Sequence, residues 1–344
     1  MTSMERTLTA IFHKEPDRVP LFLLLSMYGA REAGVSVKRY FQDPSLVVKT
    51  QLHMKQKYAN DCFYAFQYAA VEVQAMGGEV LFSEDGPPNA GEPIFQTAED
   101  IRAFTLPDVK NTPCLANILE VIRDLKKGND HTPIIGVVMS PVSLPVMQMG
   151  FEAYLDLLEE QPEVFLTLVN KNQQFCAQWA NAQLEAGATA ICYFDPLSST
   201  TMMPAERYQT WGARFSRETL SMIGGPTATH MASGRCLGIL NDIIGTGTQV
   251  LGISANDDLA EMKDLCKNRI ALLGNLDGIG MCGWSPERAF YEARFAIQSA
   301  AAGGGFILSD NHGEIPLQVD EDVLMAISDA VRECGQYPIK STVE

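Results

Sequence analysis

Two short segments hold most of the residues able to do chemistry: Thr229-His230-Met231-Ala232-Ser233-Gly234 and Leu308-Ser309-Asp310-Asn311-His312-Gly313-Glu314-Ile315-Pro316. Each follows a short apolar run. Two imidazoles and a carboxylate could hold a metal, with His230 and His312 as ligands and Asp310 or a water completing the set. A metal that activates sulfur needs soft nitrogen and sulfur ligands at short, fixed distances. No C-x-x-C pair occurs among the 8 cysteines, and Cys236 lies well past His230, toward the next helix. We therefore expect no zinc and no metal ligands, with the His230/His312 pair as the alternative. Asp195, Asn256, Asn275, Asp277 and Asn311 also follow apolar runs. Asp offers acceptors, and Asn an acceptor with two donors.

Those residues need elements to carry them to one place. Apolar, β-branched runs over 19–25, 62–67, 134–139, 188–194, 225–230, 249–254, 270–275 and 305–309 read as strands. Amphipathic stretches such as 163–185, 205–221, 259–266 and 286–302 alternate with them, the pattern of β/α units around a parallel sheet. Pro204 and Pro286 suit helix starts, and Asp257 and Asp258 suit a cap before Leu259. The fold class expected is α/β, a (β/α)8 TIM barrel forming a single domain over 1–344. Helical additions fall within 1–60, at 4–14 and 37–57, and a β-hairpin insertion spans 71–97, where Gly77-Gly78 and Gly86-Pro87-Pro88 mark turns. Chemistry in such barrels gathers at the C-terminal ends of the strands. That places Ser26, Met27, Tyr28, Gln67, Ser140, Asp195, His230, Asn256, Asn275, Asp277, Asp310, Asn311 and His312 on one face.

Composition excludes several classes. Hydrophobic content of 46% and charged content of 20% are those of an ordinary globular protein with a sizeable core. A formal charge of -16 argues against nucleic acid and anionic membrane surfaces as partners. The first residues contain Glu5, Arg6, His13 and Lys14 and lack the apolar centre of a signal peptide. No run approaches the roughly 18 apolar residues of a membrane span. Cysteines in apolar surroundings fit buried, reduced thiols, so the expectation is a soluble cytoplasmic protein.

The chain resembles the uroporphyrinogen-decarboxylase superfamily along nearly its whole length. Glu15-Pro16-Asp17-Arg18-Val19-Pro20 resembles the opening element, and Phe194-Asp195-Pro196 the mid-barrel strand end. Gly274-Asn275-Leu276-Asp277 and Gly305-Phe306-Ile307-Leu308-Ser309 resemble the seventh- and eighth-strand motifs. Decarboxylases of the family carry Pro-Val-Trp-x-x-Arg-Gln-Ala-Gly-Arg after the first strand, whose arginines pair with substrate carboxylates. Here that stretch reads Pro20-Leu21-Phe22-Leu23-Leu24-Leu25-Ser26-Met27-Tyr28-Gly29, and the cationic clamp is missing. Zinc-dependent thiol methyltransferases of the superfamily, such as methylcobamide:coenzyme M methyltransferase, read His-x-Cys-Gly where this chain has Ala232 after His230 and Met231, and His312 stands about where a second Cys falls.

The resemblance that remains is to the corrinoid branch that methylates tetrahydrofolate in glycine-betaine and methylamine demethylation. It implies a methyltransferase that takes a methyl group from a corrinoid carried by a partner protein docked at the barrel mouth. The acceptor is N5 of tetrahydrofolate, already nucleophilic and needing no zinc. Catalytic roles then fall to Asp195, His312 and Asp310. Pterin contacts fall to Asp195, Asn256, Asn275, Asp277, Asn311 and His230. Asp310-Asn311-His312 begins like the corrinoid motif D-x-H-x-x-G, but Ile315 replaces the glycine. A thiol-directed zinc enzyme, a decarboxylase, a non-catalytic binding barrel and a metal-dependent lyase or hydrolase stay open as alternatives. His230 as a core histidine, Asp195 as a turn former, and Asn275 and Asp277 as helix caps are the structural counterparts of these roles.

Overall fold

The computed structural model describes residues 1–339. Eight parallel strands are formed: β1 (Leu21–Phe22), β2 (Phe63–Tyr64), β3 (Ile134–Met139), β4 (Ala190–Phe194), β5 (Thr227–His230), β6 (Val250–Gly252), β7 (Ala271–Leu276) and β8 (Phe306–Asp310). Their order in the sheet is β1-β8-β7-β6-β5-β4-β3-β2, so each strand lies beside its neighbour in sequence and β1 pairs with β8. This is the curled parallel sheet of a TIM-type barrel. Helices cover its outer face, and Phe22, Tyr64, Val137, Cys192, Leu273 and Ile307 pack inside it.

The seam between β1 and β2 explains why both strands are short. Asp61 N–H donates to the Leu21 carbonyl at 2.7 Å, and side chains supply the remaining bonds. The Asn60 amide accepts from Leu23 N–H at 2.9 Å and donates to the Leu23 carbonyl at 3.0 Å, as a strand backbone would. The Asp61 carboxylate accepts from Leu21 N–H at 3.0 Å and pairs with Arg6 at 2.7 Å and Arg18 at 2.8 Å. The Asp17-Arg18 part of the opening element thus works in the seam, with Asp17 held by Arg6 at 2.7 Å.

Local rules explain most helix boundaries. The first helix, α1 (Ser3–Ile11), opens with a capping box between Thr2 and Glu5. The expected additions at 37–57 form two helices, Val37–Phe41 and Pro44–Lys57, divided where Asp43 caps and Pro44 starts the second. Pro162–Ala186 ends at Gly187 in a left-handed conformation, and Asp258 and Ser285 cap Leu259–Cys266 and Pro286–Ala300. Two expectations need correction. The segment 71–97 is not a hairpin throughout: Val71–Ala75 is helical, and antiparallel pairing is confined to Val80–Leu81 with Asn89–Ala90. Val71 and Val73 are buried against the domain, which holds that stretch as a helix turn. The single helix expected over 205–221 is interrupted by a π-helical turn at Tyr208–Gly212, where the Tyr208 ring occupies the space a Gly212 Cβ would need.

Candidate active site

The strand ends deliver a compact polar cluster to the C-terminal mouth. His230, the last residue of β5, is fully buried and stacks on Phe194 at 5.5 Å between ring centroids. Its Nδ1 accepts from Ala232 N–H at 3.1 Å, and Ala232 itself has a left-handed backbone at φ 50°. With Nδ1 an acceptor, the neutral ring carries its proton on Nε2. That Nε2 is buried and has no partner. Burial, reinforced by the nearby His312, pushes the imidazole down to about 3, so the neutral form prevails at ordinary pH. Gly252 permits this placement, because a Cβ there would lie 2.3 Å from His230 Cδ2.

The loop after β8 forms the opposite wall. Asp310 Oδ1 accepts from His312 N–H and Gly313 N–H, both at 2.8 Å, while Oδ2 is buried without a partner. Gly313 has φ 92°, and a Cβ on it would lie 2.6 Å from the Phe194 ring and 3.4 Å from His230 Cε1. Gly313 thus lies against both residues that carry an orphaned atom. Tyr64 donates its hydroxyl to the Gly313 carbonyl at 2.8 Å, and Glu314 accepts from Met27 N–H at 3.0 Å. Burial pushes Asp310 up to about 6 against its backbone donors. It pushes Glu314 up to about 7, and the Asp310 charge adds to that. Cationic groups are not among the leading influences on either carboxyl.

A hydrogen-bond chain links this mouth to a neighbouring groove. His312 Nδ1 meets the Ser233 hydroxyl at 3.0 Å; Ser254 donates to the Ser233 carbonyl at 2.8 Å; Asn275 donates to the Ser254 carbonyl at 3.1 Å. Asn275 then borders a groove of about 410 Å³ together with Asn256, Asp277, Trp284 and Arg288. Burial lowers His312, and the Asp277 charge acts against that.

The structure thus brings together His230, Asp310 and His312, and beside them Asn256, Asn275 and Asp277. Two expected residues stand apart. Phe194 packs into the barrel interior, so strand alternation sends the Asp195 carboxylate outward. There it is fully buried and accepts from Ser140 at 2.5 Å, Ser143 at 2.8 Å and Ser216 at 3.5 Å. Burial raises its pKa and the serine hydroxyls oppose the rise. Its side chain is not at the mouth. Asn311 is likewise spent on structure, accepting from Gly278 N–H at 3.1 Å. Asp277 is exposed and accepts from Gly280 N–H at 2.9 Å, so it caps a turn while bordering the groove. Residues the sequence did not single out are Tyr64, Phe194 and Glu314. Glu314 stands in the Leu308–Pro316 segment, but nothing in its spacing marks a half-buried acid.

Cys236 lies away from this cluster, buried with its backbone N–H on Asp257 at 2.9 Å and its thiol near the same carboxylate. Among the described residues no group of three or more His, Cys, Asp or Glu is arranged to hold a metal ion. Among the same residues no helix is long and apolar enough to cross a membrane.

Fold and site together define a parallel β/α barrel with buried, unpartnered polar atoms at the C-terminal mouth. The family pattern described as Uroporphyrinogen decarboxylase (URO-D) matches residues 2–334, and the chain belongs to that family. Similar relatives include the uroporphyrinogen decarboxylase of Magnetococcus marinus, 24% identical over 97% of this chain and 98% of that protein. That of Syntrophotalea carbinolica is 26% identical over 90% and 92%. Among solved structures, a methyltransferase from Methanosarcina mazei superposes with a TM-score of 0.86 at 20% identity, covering 97% of this chain and 99% of that one. A B12-independent methionine synthase from Shewanella sp. W3-18-1 gives 0.54 at 11% identity, over 83% and 86%. At such identities these two likenesses are of fold.

Proposed function

We propose that the protein is a methyltransferase that moves a methyl group from a corrinoid carried by a partner protein to N5 of tetrahydrofolate. One observation carries the reading: the buried Nε2–H of His230 and the buried Oδ2 of Asp310 are both unpartnered, and Gly313 lies against both residues. Leaving such groups unpaired costs about 1–3 kcal/mol each, so a ligand that offers both an acceptor and a donor is favoured there. The lactam and amino edges of a pterin have that pattern. Asn275 extends it, and the groove with Asn256 and Asp277 accommodates the remaining polar edge. No sulfur ligand stands at Ala232, which favours an acceptor that is nucleophilic without metal activation.

The corrinoid, when docked at the mouth, supplies the methyl carbon and takes back the electron pair of the cobalt–carbon bond. This chain orients N5 for in-line attack, so positioning matters more than strong acid–base chemistry. N5 loses its proton after the new C–N bond forms. We assign its receipt to Asp310 and Glu314, which burial raises to about 6 and about 7, with His312 next.

Decarboxylation of a polycarboxylated tetrapyrrole is the second reading, favoured by the family and by the names of the relatives above. Against it, Asp310 and Glu314 sit where a substrate carboxylate would need cations, and the clamp arginines are missing from 20–29. The deciding assay offers methylcobalamin with tetrahydrofolate, with coenzyme M, and separately uroporphyrinogen. Saturable 5-methyltetrahydrofolate formation with release of Co(I) is expected. Methylation of the thiol alone, or coproporphyrinogen formation, would overturn the proposal.

A further inference from the structure

The opposite end of the barrel contains a second cavity that the mouth chemistry does not use. Barrel interiors of this kind are normally filled by layers of bulky side chains. Here the inward positions Ala190 and Ala228 are small, and a space of about 420 Å³ remains at the N-terminal end. That volume lies within the roughly 300–1,000 Å³ of ordinary ligand pockets. Phe22, Leu24, Ile135, Val250 and Ile307 supply an apolar wall, and no Asp, Glu, Lys, Arg or His lines it.

Helix α1 closes the space from below with Met4, Leu8 and Ile11, spaced to fall on one helix face. The lid is tied down by Met4 N–H on the His131 carbonyl at 2.8 Å and Gly305 N–H on the Ala10 carbonyl at 2.7 Å. At its edge Phe12 is 70% exposed and Leu8 43% exposed, giving the cavity an apolar rim. Tyr64, Thr189, Thr227 and Gln249 also line the cavity, and each is already engaged in a hydrogen bond within the protein. Thr7 is 5% exposed, lines the cavity, and its hydroxyl has no hydrogen-bond partner.

We propose that this floor cavity is a binding site for a small neutral amphiphile, an apolar chain or ring bearing one hydroxyl or carbonyl that pairs with Thr7 once the Thr7 hydroxyl, buried in the present rotamer, turns toward the space. The uncharged lining disfavours a carboxylate or ammonium head, because a buried charge there would have no partner. Tyr64 belongs to both ends of the barrel: its ring lines the cavity, and its hydroxyl holds the Gly313 carbonyl of the mouth loop. An occupant therefore touches a side chain of the mouth without entering it. The site is independent of what the mouth transfers.

The test is a fluorescence titration of the full chain with N-phenyl-1-naphthylamine, followed by displacement with 1-decanol and with decanoate. Saturable binding is expected, with 1-decanol displacing the probe at least about tenfold better than decanoate. Ala228→Phe and, as a milder filling variant, Ala190→Leu should each weaken probe binding about tenfold or more with an unchanged circular dichroism spectrum. Thr7→Val should weaken 1-decanol several-fold and leave the probe unaffected. Failure of the parent to bind the probe saturably would overturn the proposal. So would parental affinity in a folded Ala228→Phe or Ala190→Leu protein, or equal displacement by decanoate and 1-decanol.

Discussion

Replacing Asp310 with Asn tests the claim that the mouth holds a carboxyl the fold would be more stable without. Asn keeps the Oδ1 that accepts from His312 and Gly313 and changes only the unpartnered Oδ2. Burial raises the Asp310 carboxyl from 3.8 to about 6. Below the lower value both the folded and unfolded chains hold the proton, and the group costs nothing. Between the two values the unfolded chain releases its proton while the fold retains it, so stability falls as pH rises. Above about 6 the full penalty is present. At about 1.4 kcal/mol per pH unit separating the two, that penalty is about 3 kcal/mol. Asp310→Asn should thus be more stable than the parent by about 3 kcal/mol near pH 8, and by less than about 1 kcal/mol near pH 4. Urea unfolding followed by circular dichroism at both pH values, with an unchanged slope m, reads this directly. Methyl transfer should fall by about tenfold or more in the same variant, the trade expected where an active site stores unfavourable burial. Equal gains at both pH values, or a variant no more stable than the parent near pH 8, would refute the reasoning.

Asp195→Ala removes the acceptor shared by Ser140, Ser143 and Ser216, and should cost about 1–3 kcal/mol in chemical denaturation. Because its carboxylate points away from the mouth, calorimetry on the folded variant should find tetrahydrofolate binding within about twofold of the parent; loss of binding with parental stability would reverse that assignment. Gly252→Ala drives a methyl group into the His230 ring, 2.3 Å from Cδ2 in the present geometry, and should weaken tetrahydrofolate binding more than it lowers the melting temperature. Unchanged affinity would show that His230 does not meet the ligand. Dialysis against a chelator should leave methyl transfer to tetrahydrofolate intact, and activity lost and then restored by zinc would contradict it. Cys236→Ala, which alters a buried thiol beside Asp257, should leave transfer rates within about twofold, a change small on the scale of catalytic substitutions.

Much of the barrel is legible in the sequence because each β/α unit announces itself locally. Ile134–Met139 is a continuous apolar run and forms a strand over its full expected length. Pro44, Pro162 and Pro286 start helices where their missing N–H is harmless, and Gly187 ends one where a left-handed residue is needed. The strand ends that carry His230, Asn275 and Asp310 could be named for the same reason. What the sequence could not tell is the direction in which each polar side chain points. A strand buried on both faces, such as Ala190–Phe194, shows no alternation of apolar and polar residues, so nothing in it reveals that Asp195 faces outward. The shortness of β1 and β2 was hidden too, because Asn60 and Asp61 replace backbone pairing with side-chain bonds between residues 37 and 40 positions apart. Glu314 looks like any surface acid until the loop after β8 folds over Met27 and half-buries it. Local periodicity determines elements, whereas burial and unpaired hydrogen-bonding atoms exist only once distant elements meet. The tertiary structure therefore decided which acids belong to the mouth.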